Sequence, residues 1–76
     1  MSSIEHVRIE IAFMGGQAVS VLVETSTADA LQGALETGHD GAFTIDAEDG
    51  RYILPVDRIV YVKRFARESR VGFGAS

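Results

Sequence analysis

The sequence predicts an α+β domain: a small twisted antiparallel sheet with the element order β-β-α-β-β-β and one helix packed on one face. Five short segments are rich in β-branched and aromatic residues, and most of them alternate apolar with polar positions, as strands do. One segment, residues 26–37, has the apolar spacing of a helix instead. A chain of 76 residues has room for one hydrophobic core. We therefore expect a single domain over residues 1–66, followed by a polar, flexible tail over residues 67–76.

The first two strands are predicted to form a hairpin. Apolar residues occupy every second position from Val7 to Phe13, which is the pattern of a half-buried strand. Gly15 and Gly16 then supply the positive φ angles that a tight hairpin turn requires. Valines at positions 19, 21 and 23 give the returning strand one apolar face.

The helix is predicted to begin near Ser26 and Thr27, whose hydroxyl groups can accept the free backbone N–H groups of a first turn. Gly38 is expected to end it in a left-handed conformation. The apolar positions between these ends follow helical spacing, so that one narrow stripe faces the sheet. The stripe consists of Ala28, Leu31, Ala34 and Leu35.

Three more strands are predicted after the helix. Residues 43–47 alternate in polarity, and the turn signal at residues 48–50 directs residues 51–54 to pair back against them. Pro55 has no N–H to donate to a ladder and marks a bend or a sheet edge. The last strand, residues 59–65, is the most apolar.

The predicted sheet carries more apolar residues than one helix can cover. A sheet with one solvated face should be polar on that face. The sequence instead predicts a second apolar face, which a second copy of the chain would bury, and so we expect a homo-oligomer. The alternative is that curvature closes the sheet into a small barrel and buries these residues internally. The uncovered face is predicted to consist of Leu22, Ile53, Val60 and Val62, opposite Val21, Tyr52, Ile59 and Tyr61.

The net charge of −4 is unevenly distributed along the chain. Residues 1–50 contain one base and nine acids, a net charge of −8, whereas residues 51–76 contain six bases and two acids, a net charge of +4. This asymmetry is typical of a basic binding face or of complementary patches that meet between subunits. Charges interleaved over one folded surface would give the same composition.

Cations and aromatic residues alternate in the C-terminal segment. This pattern suits a subunit or protein contact, because arginine and aromatic residues are enriched at interfaces. The alternative is nucleic-acid or nucleotide binding, in which cations neutralise phosphates and aromatic rings stack on bases. The segment's candidate residues are Tyr61, Lys63, Arg64, Phe65, Arg67, Arg70 and Phe73.

No catalytic, metal or cofactor motif is present in the sequence. The absence of cysteine excludes a disulfide or a Cys-ligated zinc site, and His6 and His39 lack a third ligand at metal-site spacing. An enzyme would need a deep pocket around one of these histidines, so we expect a protein without enzymatic activity, metal or cofactor. No apolar run is long enough to span a bilayer, and the N-terminus has no signal-peptide pattern, so we expect a cytoplasmic protein.

Three motifs in the C-terminal half resemble those of a family of small actinobacterial proteins known as domain of unknown function 3107. They are Asp49-Gly50-Arg51, residues 57–62 and the Arg-Val-Gly-Phe-Gly run at residues 70–74. The resemblance implies an actinobacterial cytoplasmic protein, and it transfers no functional residue because the family has no settled activity. Residues 54–61 are also similar to a strand segment of LytTR-type DNA-binding domains, which supports the nucleic-acid alternative.

Overall fold

A computed structural model describes residues 4–66 of the chain, and within that range it confirms the predicted α+β fold and the element order β-β-α-β-β-β. The helix and strands appear where the polarity patterns place them, with boundaries shifted by one or two residues. The elements are β1 (His6–Phe13), β2 (Ala18–Glu24), α1 (Thr25–Thr37), β3 (Ala42–Ala47), β4 (Gly50–Pro55), a short 3₁₀ turn (Val56–Arg58) and β5 (Ile59–Arg64).

The strands form one antiparallel sheet in the order β4-β3-β2-β1-β5. β1 and β2 pair along their whole length across the predicted glycine turn, where Gly15 and Gly16 have φ angles of 97° and 91°. β2 and β3, in contrast, pair at Val23 and Ala47 alone. The sheet therefore consists of a three-stranded part and the β3–β4 hairpin, which meet at one corner.

The sheet must be strongly coiled because its two edge strands are neighbours in sequence. In a flat sheet, four strand spacings would separate β4 from β5 by about 19 Å. The chain from Pro55 to Ile59 can reach about 14 Å at most. The backbone N–H of Met14 donates to the carbonyl of Arg58 at 2.8 Å, which holds the connecting turn against the tip of the β1–β2 hairpin.

The hydrophobic core lies between α1 and the concave side of the coiled sheet, which we call the inner face. The largest fully buried side chains come from both layers, and no polar or charged residue among residues 4–66 is buried. The predicted period-two and helical patterns thus point to the correct core. The buried core residues in contact with one another are Ile9, Ile11, Val21, Val23, Ala28, Leu31, Ile45 and Leu54.

The two ends of α1 differ in how well the sequence predicts them. Gly38 adopts the predicted left-handed conformation, with a φ of 73°, and its N–H and that of His39 donate to the carbonyls of Leu35 and Ala34. The predicted Ser/Thr cap does not form: the helix begins at Thr25 and has no side-chain cap. Instead, the N–H and the hydroxyl of Thr25 both donate to the carbonyl of Glu5, each at 3.0 Å, so that a tertiary contact ties down the helix start.

Candidate interaction surfaces

A β-bulge in β5 decides which of its side chains point inward. Ala12 pairs with Tyr61, yet the next residue of β1, Phe13, pairs with Ile59. Val60 is therefore the extra residue opposite this step, and it shifts the alternation of side chains along the rest of the strand. Because the predicted strand is apolar at four successive positions, its sequence contains no alternation that could reveal the shift.

The bulge overturns two predicted side-chain placements. Val62 was expected on the uncovered face, but it pairs with Ile11 and packs against the core. Tyr61 was expected on the face that the helix covers. It lies on the convex outer face instead, where its hydroxyl donates to a carboxylate oxygen of Glu10 at 3.3 Å.

The outer face of the sheet interleaves polar with apolar side chains, so it is less apolar than predicted, although Val62 is the only one of the four predicted residues that packs on the inner face. Leu22 and Ile53 do lie there, as predicted, opposite Arg8 and Thr44 in their ladders. An ion pair from Asp46 to Arg51, at 2.9 Å, crosses this face, and Nε2 of His6 lies 2.8 Å from a carboxylate oxygen of Glu48. An antiparallel sheet with one solvated face has this composition. The polar positions of the outer face include Arg8, Glu10, Ser20, Thr44, Asp46, Arg51 and Lys63.

The exposed apolar side chains of the sheet lie on its edge strands. Ile53 on β4 is 69% exposed, and Val60 on β5 is 61% exposed. Within residues 4–66, neither β4 nor β5 has a strand on its outer side, and the two do not pair with each other. Within the described residues, the coiled sheet therefore does not close into the small barrel that was the alternative prediction.

The register shows which backbone groups each edge offers to a further strand. Hydrogen-bonded positions alternate along an antiparallel ladder. The N–H of Val56 donates to the carbonyl of Gly41, so that the amides of Arg51 and Ile53, at the intervening positions, point away from β3. The backbone of Pro55 also points away from β3, but it offers only a carbonyl oxygen to a further strand because proline has no N–H.

One hydrogen bond also shows which backbone N–H groups of β5 point away from the sheet. The N–H of Phe65 donates to the carbonyl of Arg8, which fixes the phase of the β1–β5 ladder. The N–H groups of Val62 and Arg64 therefore point away from β1. Each edge thus presents two outward donors over three residues.

The predicted basic-aromatic patch is divided between the two faces of the sheet. Arg64 reaches the helix, where it donates to the carboxylate of Asp29 at 2.8 Å and to the amide oxygen of Gln32 at 3.2 Å. Lys63 lies on the outer face, with its ammonium group 4.7 Å from the centre of the Phe65 ring. The described part of the patch is therefore not a continuous row of free cations. Arg67, Arg70 and Phe73 lie outside the described residues, and the nucleic-acid alternative stays a prediction.

Both tyrosines of the chain donate to carboxylates. The negative charge of Glu10, followed by partial desolvation and the hydrogen bond, raises the pKa of Tyr61 above its ordinary value of 10.0. For Tyr52, the hydrogen bond to Asp49 at 2.8 Å is the largest cause of a raised pKa. Both phenols therefore stay protonated at neutral pH and act as hydrogen-bond donors.

The two histidines lie in different parts of the fold. His6 lines an open groove of about 610 Å³ beside Thr25 and Phe65, and its Nε2 is 2.8 Å from Glu48. His39 lies in the helix-to-strand loop, where its Nε2 is 3.1 Å from the carbonyl of Ala42. A second groove, of about 510 Å³, lies where the turn after β4 meets the β1–β2 hairpin.

Residues 4–66 contain no group of three or more His, Asp or Glu side chains placed to bind a metal ion. The helix in that range has 13 residues, and no helix there has the length and apolar character needed to cross a bilayer.

Comparison with known proteins yields no match to a protein-family model, to a curated protein or to a solved structure. The resemblance that the C-terminal motifs carry therefore stays a prediction.

Proposed function

We propose that this protein is a small protein-interaction module that associates with further copies of itself through the edges of its sheet. The observation that carries the proposal is that β4 and β5 are both unpaired on their outer sides within residues 4–66, and both bear large exposed apolar or aromatic side chains, Ile53 on β4 and Val60 and Tyr61 on β5. An unpaired edge is a template for pairing with another chain.

A strand that covers either edge would stabilise the assembly by burying apolar surface and by pairing free backbone groups. Fully burying an Ile or Val side chain contributes about 1.5–3 kcal/mol. A pairing strand would also satisfy the outward N–H groups of β4 and β5. Pro55 and the polar outer face restrict this pairing to the short edge segments, so that a defined oligomer is favoured over general aggregation.

A native mass measurement tests the proposal. Light scattering after size-exclusion chromatography should give at least twice the monomer mass of 8.2 kDa. Val60→Glu should reduce that mass, because a buried carboxylate without a partner is costly at an interface. Ala30→Glu is the matched control, because Ala30 is exposed on the helix and should leave the mass unchanged. A wild-type protein that runs as a monomer at every concentration contradicts the proposal.

The proposed setting is the cytoplasm of an actinobacterium, as the resemblance of residues 49–51 and 57–62 implies. Fractionation of cells that express a tagged full-length chain tests the location. Recovery with the membrane pellet or in the medium would contradict it.

A further inference from the structure

We infer that the copies associate head to tail, with β4 of one copy against β5 of the next. The inference rests on the proposed function, because it specifies which edges meet in the assembly. It goes beyond self-association because a symmetric dimer would instead join two identical edges, β4 with β4 or β5 with β5.

The two outer strand pairs of the sheet have opposite net charges. The β3–β4 hairpin, residues 42–55, contains three acids and one base, a net charge of −2, and its acids lie on β3 and in the turn. The pair at the other side of the sheet, β1 and β5, contains three bases and one acid, a net charge of +2 with His6 neutral. Contact between unlike edges is therefore attractive, whereas contact between like edges brings charges of one sign together.

The ion pairs within one chain do not remove this difference in net charge between the two sides of the sheet. Asp46 and Arg51 neutralise each other within the hairpin, and Asp29 neutralises Arg64. Asp49 at the hairpin turn and Lys63 on β5 have no ion-pair partner within residues 4–66, and they remain as oppositely charged groups. Asp49 accepts a hydrogen bond from a neutral tyrosine, which leaves its charge unchanged.

The backbone groups of the two edges are also matched in number. β4 presents outward N–H groups at residues 51 and 53, and β5 presents them at residues 62 and 64. Two short segments with the same spacing of donors can form a regular ladder. A pair of copies joined in this way retains one free β4 edge and one free β5 edge, so that the assembly closes into a ring or continues as a filament.

Two variants, each blocked at one edge, test this arrangement. Ile53→Lys places a positive charge on the β4 edge, where it would face the basic β5 of the next copy. Val60→Glu places a negative charge on the β5 edge, where it would face the acidic hairpin. Each variant alone should run at the monomer mass, one half or less of the wild-type value. An equimolar mixture should recover at least twice the monomer mass, because each variant supplies the edge that the other lacks.

The outcomes separate this inference from the proposed function. A monomeric wild-type protein removes the proposed function itself. An oligomeric wild type together with one variant that keeps the wild-type mass indicates pairing of identical edges and overturns the head-to-tail inference. A mixture that stays monomeric, with both variants folded by circular dichroism, overturns it as well.

Discussion

At the scale of single residues, the outer face is organised by side chains that cross from one strand to the next. Tyr61 on β5 donates to Glu10 on β1, and Arg51 on β4 pairs with Asp46 on β3. These contacts are exposed and so contribute little to stability individually. Their structural consequence is that polar groups lie between the apolar side chains of the convex side.

The two tyrosines provide a residue-scale prediction, because the chain contains two tyrosines and no tryptophan. Glu10→Gln should lower the pKa of Tyr61 toward its ordinary value by removing the negative charge that raises it. Asp49→Asn should act in the same way on Tyr52 and is the matched variant. A spectrophotometric titration of tyrosinate absorbance measures both midpoints.

The sign of the linked stability follows from the direction of these shifts. A raised pKa in the folded state stabilises the fold below the ordinary tyrosine pKa, and this contribution is lost as the pH rises through the raised value. Unfolding experiments on the wild-type protein should therefore show lower stability at alkaline pH. A Glu10→Gln titration identical to that of the wild type would contradict the assigned contact.

At the scale of elements, α1 shows that one residue type can have opposite effects at two positions. Gly33 lies within the helix, whereas Gly38 ends it with a φ of 73°. A Cβ at either position would meet no atom within 4 Å, so that backbone conformation alone separates the two sites.

This contrast predicts opposite effects of the same substitution. Gly33→Ala should stabilise the protein by about 0.5–1 kcal/mol, because alanine loses less backbone entropy in a helix. Gly38→Ala should destabilise it by about 1–2 kcal/mol, because a Cβ is unfavourable in the left-handed conformation. Urea denaturation of both variants measures the free energies of unfolding. A neutral Gly38→Ala would show that the helix end rearranges without cost.

The bulge in β5 shows the limit of reading an element from its sequence alone. Ile59, Val60, Tyr61 and Val62 are all apolar or aromatic, so either phase of alternation fits the pattern. The pairing with β1 selects the phase that buries Ile59 and Val62. The predicted interface thereby loses Val62, whereas Leu22 and Ile53 stay on the outer face.

At the scale of the whole molecule, the coiled sheet leaves one acidic hairpin and one basic strand at its two free edges. The charge asymmetry that the sequence shows between its halves thus becomes an asymmetry between two edges of one sheet. Complementary subunit patches were one of the interpretations that this charge distribution allowed.

The charge difference predicts that assembly is sensitive to salt. The oligomeric fraction should fall as the salt concentration rises from 0.1 M to 1 M, because the screening length shortens from about 10 Å to about 3 Å. Sedimentation velocity at several salt concentrations, at one protein concentration, measures this fraction. An oligomer whose mass holds or grows with salt would indicate that apolar burial, rather than charge complementarity, selects the contact.

Much of the fold could be predicted because local patterns specify it. The alternation from Val7 to Phe13, the glycine turn and the left-handed Gly38 are each set by polarity or backbone conformation within a few residues. The start of α1 could not be predicted in the same way. Its stabilising partner is the carbonyl of Glu5, about 20 residues away in the chain, which no local pattern reveals.

The candidate surface depended on tertiary structure to a greater degree. By itself, the sequence determined the fold class, the order of the elements and the inward residues of β1, β2 and α1, because side-chain periodicity is a local property. Only the tertiary structure decided the phase of β5, the separation of Arg64 from Lys63 and the two unpaired edges. Those features depend on which strands lie next to each other and on how strongly the sheet coils, and both are set by contacts between residues distant in sequence.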